Sequence, residues 1–331
     1  MERFALAAAV VLGFALTAAL CSLFVPLRRV LERREQQQQP VQSEQPRPAP
    51  LRAPLWGGLC AAAGTVAAVG VGWLAACVGQ LELLGSEGRL MTRLLTALAG
   101  SLAFGAVGLA EDVARMRSPA ALGLRRDVRL LLEALAAAFV LLLLRAAGCL
   151  PRGLGVPGAG YVLLGSAVPF LWAVLMVALA ECARIAERDE GAVCGAAFVA
   201  MLALMMVEAG LGVSGLAVLP GALAGALVAL GLWAFPPARL GVGCCGSLLA
   251  AGAIGCIPLS LDMTSLTVPL ALPFWAAGGL LAAQLLCAKR TGKPLRCWVK
   301  KHKMSPETVF LCSFALSAVG YVLALALLRW C

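Results

Sequence analysis

Charge is what this sequence has least of. Only 13% of its residues are Asp, Glu, Lys or Arg, while 61% are hydrophobic; soluble domains run to about 25% and roughly 45–50%. That balance excludes an ordinary water-soluble globule. Strict polar–apolar alternation is also lacking, which argues against an outer-membrane barrel and leaves helices as the spanning structure. No CxxC pair occurs among the 13 cysteines, an odd number, so neither a zinc ribbon nor a disulfide framework is expected. Cys21, Cys60, Cys77, Cys194, Cys256 and Cys312 sit in apolar runs, where cysteine acts as a small hydrophobe. A formal charge of +10 would suit nucleic acid, but the bases form no single patch, so no nucleic-acid partner is expected.

What the chain has in abundance is long apolar runs. Roughly 20 apolar residues are needed to cross a ~30 Å hydrocarbon core. Stretches of that kind fall near 4–26, 56–79, 91–110, 129–148, 159–180, 192–211, 213–233, 240–259, 265–287 and 308–328. The reading is an all-α integral membrane protein of about ten transmembrane helices, a single polytopic domain over residues 1–331. The first run is too long for a signal peptide, and Arg28 and Arg29 follow it, so it is expected to stay as an anchor. Between the first two runs, residues 36–54 are rich in Gln and Pro with little to bury, which predicts a flexible linker.

Basic residues orient such a chain. Loops after the odd-numbered runs hold nearly all of them, among them Arg28, Arg29, Arg115, Arg125, Arg126, Lys289, Arg290, Lys300 and Lys301. The alternate loops and their flanks keep only Arg89, Arg93, Arg145 and Arg152. Odd loops are therefore expected in the cytoplasm and both termini outside. Glu111, Asp112, Asp127, Glu181, Glu187, Asp189 and Glu190 fall on that cytoplasmic side, against Glu82, Glu87 and Asp262 on the other. Any chemistry is expected in a cleft on the cytoplasmic face.

Short stretches at those loops carry a resemblance. They are Pro54-Leu55-Trp56-Gly57-Gly58; Gly108-Leu109-Ala110-Glu111-Asp112-Val113-Ala114-Arg115; and Gly123-Leu124-Arg125-Arg126-Asp127-Val128-Arg129 running on to Glu133. Further along come Ala183-Arg184-Ile185-Ala186-Glu187-Arg188-Asp189-Glu190-Gly191, then Phe235-Pro236-Pro237-Ala238-Arg239 and Gly243-Cys244-Cys245-Gly246-Ser247. Lys289-Arg290-Thr291-Gly292-Lys293 and Lys303-Met304-Ser305-Pro306 complete the set. In type and order they resemble the phospho-N-acetylmuramoyl-pentapeptide transferase family, within the glycosyltransferase family 4 superfamily. The resemblance implies transfer of a phospho-sugar from a UDP-sugar onto undecaprenyl phosphate or a similar polyprenyl phosphate, in peptidoglycan synthesis. It also implies Mg²⁺ as cofactor, the lipid bilayer as surroundings and a homodimer as a plausible assembly.

Position by position, the resemblance assigns Glu111, Asp112, Glu187 and Glu190 to catalysis, and Arg115, Arg129, Arg184 and Lys303 to substrate binding. Asp112 would be a metal ligand. Glu111, Glu187 and Glu190 stand where the family has Asp, Arg115 and Arg129 where it has Lys, and Arg184 where it has Asn. Cys244 takes the place of the metal-holding Asp, and a soft thiol is a poor Mg²⁺ ligand. Where the family has three histidines after Lys-Met-Ser-Pro, the run here reads Glu307-Thr308-Val309-Phe310, and the lone His302 lies upstream. The expectation is a family fold with weakened or lost catalysis; a rearranged Mg²⁺ site in a working enzyme is the alternative. Residue-level alternatives remain open: Glu111 and Asp112 can be a solvated loop edge, and Gly57-Gly58 and Gly243 to Ser247 can allow close backbone approach of a phosphate or of a neighbouring helix. The Arg125-Arg126 and Lys300-Lys301 pairs can be orientation signals and lipid contacts, and Cys244-Cys245 can be helix packing. A transporter or channel is the reading from another class, with Glu208 inside a span as its one hint.

Overall fold

The computed structural model describes residues 2–38, 56–79, 88–117, 123–151, 153–156, 160–163, 165–187, 191–235, 239–291 and 306–330. Helices α1 (Glu2–Gln38), α2 (Gly57–Gly79), α3 (Gly88–Arg117) and α4 (Arg126–Ala146) come first. A small antiparallel hairpin of β1 (Gly153–Val156) and β2 (Gly160–Leu163) follows, pairing Gly153 with Leu163 and Val156 with Gly160. Then come α5 (Ala167–Ala186), α6 (Ala192–Gly210), α7 (Ser214–Ala234) and α8 (Gly243–Ser260). A 3-10 turn (Thr264–Leu266), α9 (Thr267–Leu270), α10 (Leu272–Thr291) and α11 (Pro306–Trp330) complete the order.

Eight of the described helices are long and apolar enough to cross a membrane, or nine if α9 and α10, bent by 64° at their junction, form one broken span. The expected ten therefore differ at α4. It has the length, 21 residues, but Arg129, Glu133 and Arg145 interrupt it. Its Leu131, Leu135, Phe139 and Leu142 are exposed at helical spacing, while Arg129 and Glu133 are buried, so the charges turn inward. The fifth run also starts later than expected, at Ala167 instead of 159, because β2 takes up Gly160–Leu163. Of the expected linker, Gln36–Gln38 end α1 and the remainder lies outside the described residues.

Helix α8 is the axis of the bundle: all of its residues, Gly243 to Ser260, are buried. Its sequence explains why. Gly, Ala, Ser and Cys dominate it, and small side chains let neighbouring backbones come close where lipid offers no hydrophobic drive between helices. It packs chiefly on α3, with α5, α2 and α6 around it, while α7 holds α1, α6 and α2 together. Gly57-Gly58 and Gly243–Ser247 were candidates for close backbone approach to a phosphate or to a helix. Here the neighbour is a helix, because a Cβ on Gly58 would strike the Gly246 backbone.

The approach that positions the site lies between α3 and α8. A Cβ on Gly108 would collide with the Cys244 carbonyl and the Cys245 nitrogen. Gly108→Val should therefore destabilise the protein by about 1–3 kcal/mol, the usual cost of overpacking. A drop in the unfolding midpoint in detergent would register it, and an unchanged midpoint would mean that the two helices sit further apart.

Candidate functional site

Glu111, Asp112 and Arg115 do not lie in a loop. Helix α3 continues through Arg117, so all three sit on its last two turns. Spacings of three and four residues put Arg115 over both carboxylates on one helix face. From α4 comes Arg129, from the last two turns of α5 Glu181 and Arg184, and Glu187 follows directly at the end of that helix. The N-terminus of α8 supplies Cys244 and Cys245. Four helix ends thus converge at one end of the bundle.

Asp112 is fully buried and accepts two backbone hydrogen bonds, one on each carboxylate oxygen. Cys244 N–H donates to Oδ1 at 3.0 Å and Cys245 N–H to Oδ2 at 2.8 Å. Helix N-termini leave their first N–H groups without partners and carry partial positive charge, so a carboxylate there is well placed. Gly243, the first helical residue, has φ +70°, a left-handed conformation that glycine takes without strain, and it turns the chain into α8. Asp112 is the cap of α8, supplied from α3.

Arg115 joins the carboxylates to one another. Its Nη2 donates to Glu111 Oε1 at 2.9 Å, and its Nη1 reaches Glu187 Oε1 at 3.2 Å and Oε2 at 3.4 Å. The same Nη1 stands 4.0 Å from Asp112 Oδ1. Cys244 Sγ–H donates to Glu187 Oε2 at 2.8 Å. Beside this group, Arg129 donates from Nε to Glu181 Oε1 at 2.7 Å, with Nη1 3.6 Å from Glu111 Oε1. Arg184 completes the chain, donating to Glu181 Oε2 at 2.6 Å.

Of the residues singled out by the sequence, Glu111, Asp112, Arg115, Arg129, Arg184, Glu187 and Cys244 therefore meet in one network. Glu190, Lys303 and His302 lie outside the described residues. Sequence reasoning left Glu133 and Glu181 unassigned. Both break apolar stretches, Glu133 one turn after Arg129 and Glu181 three residues before Arg184; an ionisable residue in such a stretch is a functional hint by itself. Glu133 is fully buried, and neither of its carboxyl oxygens has a hydrogen-bond partner among the described residues. Glu208 is equally buried and has no hydrogen-bond partner among the described residues, but it lies in the last turn of α6, at the opposite end of that helix from this network.

The sequence profile of glycosyl transferase family 4 matches residues 94–262, which span α3 through α8 and contain every member of the network. The chain belongs to glycosyl transferase family 4. No curated protein matches the chain. The family fits a multi-pass membrane protein that handles a polyprenyl phosphate and a nucleotide sugar, and its members generally depend on Mg²⁺.

Whether this family-4 site suits Mg²⁺ can be tested on its donors. Donor atoms of Asp112, Glu187 and Cys244 lie within 4.8 Å of one another, close enough to share an ion. Mg²⁺, however, demands hard oxygen ligands in near-octahedral array at about 2.0–2.1 Å. One of the three donors is a thiol. Both Asp112 oxygens hold backbone amides, and both Glu187 oxygens face Arg115. These residues as arranged do not fit Mg²⁺. Cys244→Ser, which keeps a donor for Glu187, is expected to change stability by less than about 1 kcal/mol. A loss well beyond that in a detergent melt would mean that sulfur has a part in the site other than donating this hydrogen bond.

Proposed function

We propose that this protein is a divergent relative of the phospho-N-acetylmuramoyl-pentapeptide transferases, retained in a bacterial cytoplasmic membrane for recognition, with its catalysis lost or strongly weakened. The reaction of that group moves phospho-MurNAc-pentapeptide from UDP to undecaprenyl phosphate and releases uridine monophosphate. Bringing two anionic phosphates together requires cationic stabilisation of the transition state, ordinarily from metal and fixed positive side chains. The observation that carries the reading is the commitment of the site's own donors. The metal-position residue is Cys244, whose thiol donates to Glu187, while Asp112 caps α8.

The guanidiniums are committed too. Arg115, Arg129 and Arg184 each hold a carboxylate of the same network. Phosphate would have to displace Glu111, Glu181 or Glu187 to gain a bidentate contact. Such a network favours holding a lipid phosphate, a UDP-sugar or an envelope-synthesis partner at its rim over driving transfer. Its orientation toward the cytoplasm is the one that the basic loops support.

Equilibrium binding tests the recognition half of this reading. Purified protein in detergent is expected to bind undecaprenyl phosphate or UDP-MurNAc-pentapeptide with a measurable Kd in the absence of divalent cations. If neither binds, recognition of this group's substrates is not the retained function.

A further inference from the structure

A single side chain does at this site what a bridging ion would do. Arg115 contacts carboxylates of Glu111 and Glu187 at 2.9 and 3.2 Å and stands 4.0 Å from Asp112. Two of those acids come from its own helix and the third from the end of α5. Glu111 and Asp112 are almost wholly buried, so their charges are poorly screened by water. Carboxylates gathered this closely repel one another unless a cation lies among them. Arg115 is planar, permanently charged and supplied with five donors, so it can serve several acceptors at once. A second guanidinium, Arg129, lies 3.6 Å from Glu111 and reinforces it.

From this geometry we infer that Arg115 is a built-in counter-ion, taking the place of a divalent cation among Glu111, Asp112 and Glu187, and that its charge masks a latent cation site. The inference rests on the reading that this network is the family's reaction centre. It adds a cause for the misfit to Mg²⁺. Beyond the soft thiol at Cys244, a five-donor guanidinium stands where the resemblance gives a point-charge Lys, and its fork engages Glu111 and Glu187 together. It follows that Arg115 holds the centre of the wild-type cluster, where Glu111 Oε2 stays buried without a hydrogen-bond partner among the described residues, and that removing the Arg115 charge leaves an acidic pocket able to take an ion.

The probe is Mn²⁺, titrated into the full-length protein in detergent and followed by the loss of its free EPR signal. Wild type is expected to leave the signal unchanged through the micromolar range. Arg115→Gln should bind between about tenfold and a thousandfold more tightly, the change expected from removing one opposed unit charge a few ångströms from the ion. Adding Cys244→Asp, which supplies a hard oxygen, should tighten binding again, and adding Glu187→Gln to that double variant should weaken it.

One Mn²⁺ bound by wild type and lost in Glu187→Gln would overturn the inference. So would a failure of Arg115→Gln/Cys244→Asp to bind while it unfolds at the wild-type temperature. If Arg115→Gln does not fold, wild type decides alone: its melting temperature should be the same in millimolar Mg²⁺ and in EDTA, and a rise with Mg²⁺ contradicts the counter-ion. Uptake of Mn²⁺ by wild type without uridine monophosphate release defeats this inference and leaves the proposed function standing. Release without uptake does the reverse.

Discussion

Asp112→Ala is expected to lower the unfolding free energy by about 3–6 kcal/mol, since hydrogen bonds to a charged group contribute about 1.5–3 kcal/mol each and two are lost together. The substitution also strands the N–H groups of Cys244 and Cys245 at the start of a helix whose every residue is buried. Water cannot replace the carboxylate easily there, because Asp112 is itself fully buried. Asp112→Asn should lose less, as its amide oxygen still accepts one of the two bonds. Detergent-titrated unfolding, followed by far-UV circular dichroism, measures both. Equal stability of wild type and Asp112→Ala would show that the carboxylate is not the cap of α8. A catalytic assay on Asp112 variants needs this control, because loss of fold and loss of chemistry would otherwise look alike.

The second large effect is at Arg129. Its side chain is only 9% exposed and reaches Glu181 at 2.7 Å and Glu111 at 3.6 Å. Removing one partner of a buried charge pair costs about 3–5 kcal/mol, because the remaining charge is left uncompensated. Arg129→Met is expected in that range. Arg184→Met removes a similar contact, at 2.6 Å to the same Glu181, but Arg184 is 19% exposed and is a neighbour on the same helix. Water and Arg129 can compensate there, and a loss of about 1 kcal/mol or less is expected. Glu133 sharpens the test. It sits one turn from Arg129, fully buried and without a hydrogen-bond partner among the described residues, so Arg129→Met/Glu133→Leu should recover about 1 kcal/mol of what Arg129→Met loses. Similar losses at Arg129 and Arg184 would mean that burial does not separate them.

Much of this architecture is legible in the sequence because lipid imposes a simple rule. Apolar runs of sufficient length must be helices, and the structure places helices at all ten of the expected runs, with α9 and α10 sharing one. What the pattern blurs is where helices end. Glu111, Asp112 and Arg115 read as a loop edge because charge ordinarily leaves the hydrocarbon; here opposite charges pair along the helix face, and α3 carries them inward. The same pairing hides Arg129 and Glu133 inside α4 and removes it from the plainly apolar spans.

At the site, residue types were readable and their partners were not. The expectation that Cys244 takes the place of a metal-holding Asp comes from the resemblance of short motifs alone. Its thiol lying 2.8 Å from Glu187, 57 residues away in the chain, depends on how α5 and α8 pack. Nor does any motif indicate that Asp112 would find its partners in backbone amides, since every residue but proline carries one. Glu181 stood in plain view as a carboxylate in an apolar run, and only the fold reveals that it joins Arg129 to Arg184.

The most direct test of the central claim is turnover. Purified wild-type protein in detergent would receive undecaprenyl phosphate, UDP-MurNAc-pentapeptide and Mg²⁺, with uridine monophosphate followed over time and Glu187→Gln as the paired control. The committed donors of Asp112, Glu187 and Cys244 predict no release above the protein-free background, with wild type and control alike. Steady release by wild type that Glu187→Gln abolishes would contradict the account and make this a working family-4 transferase.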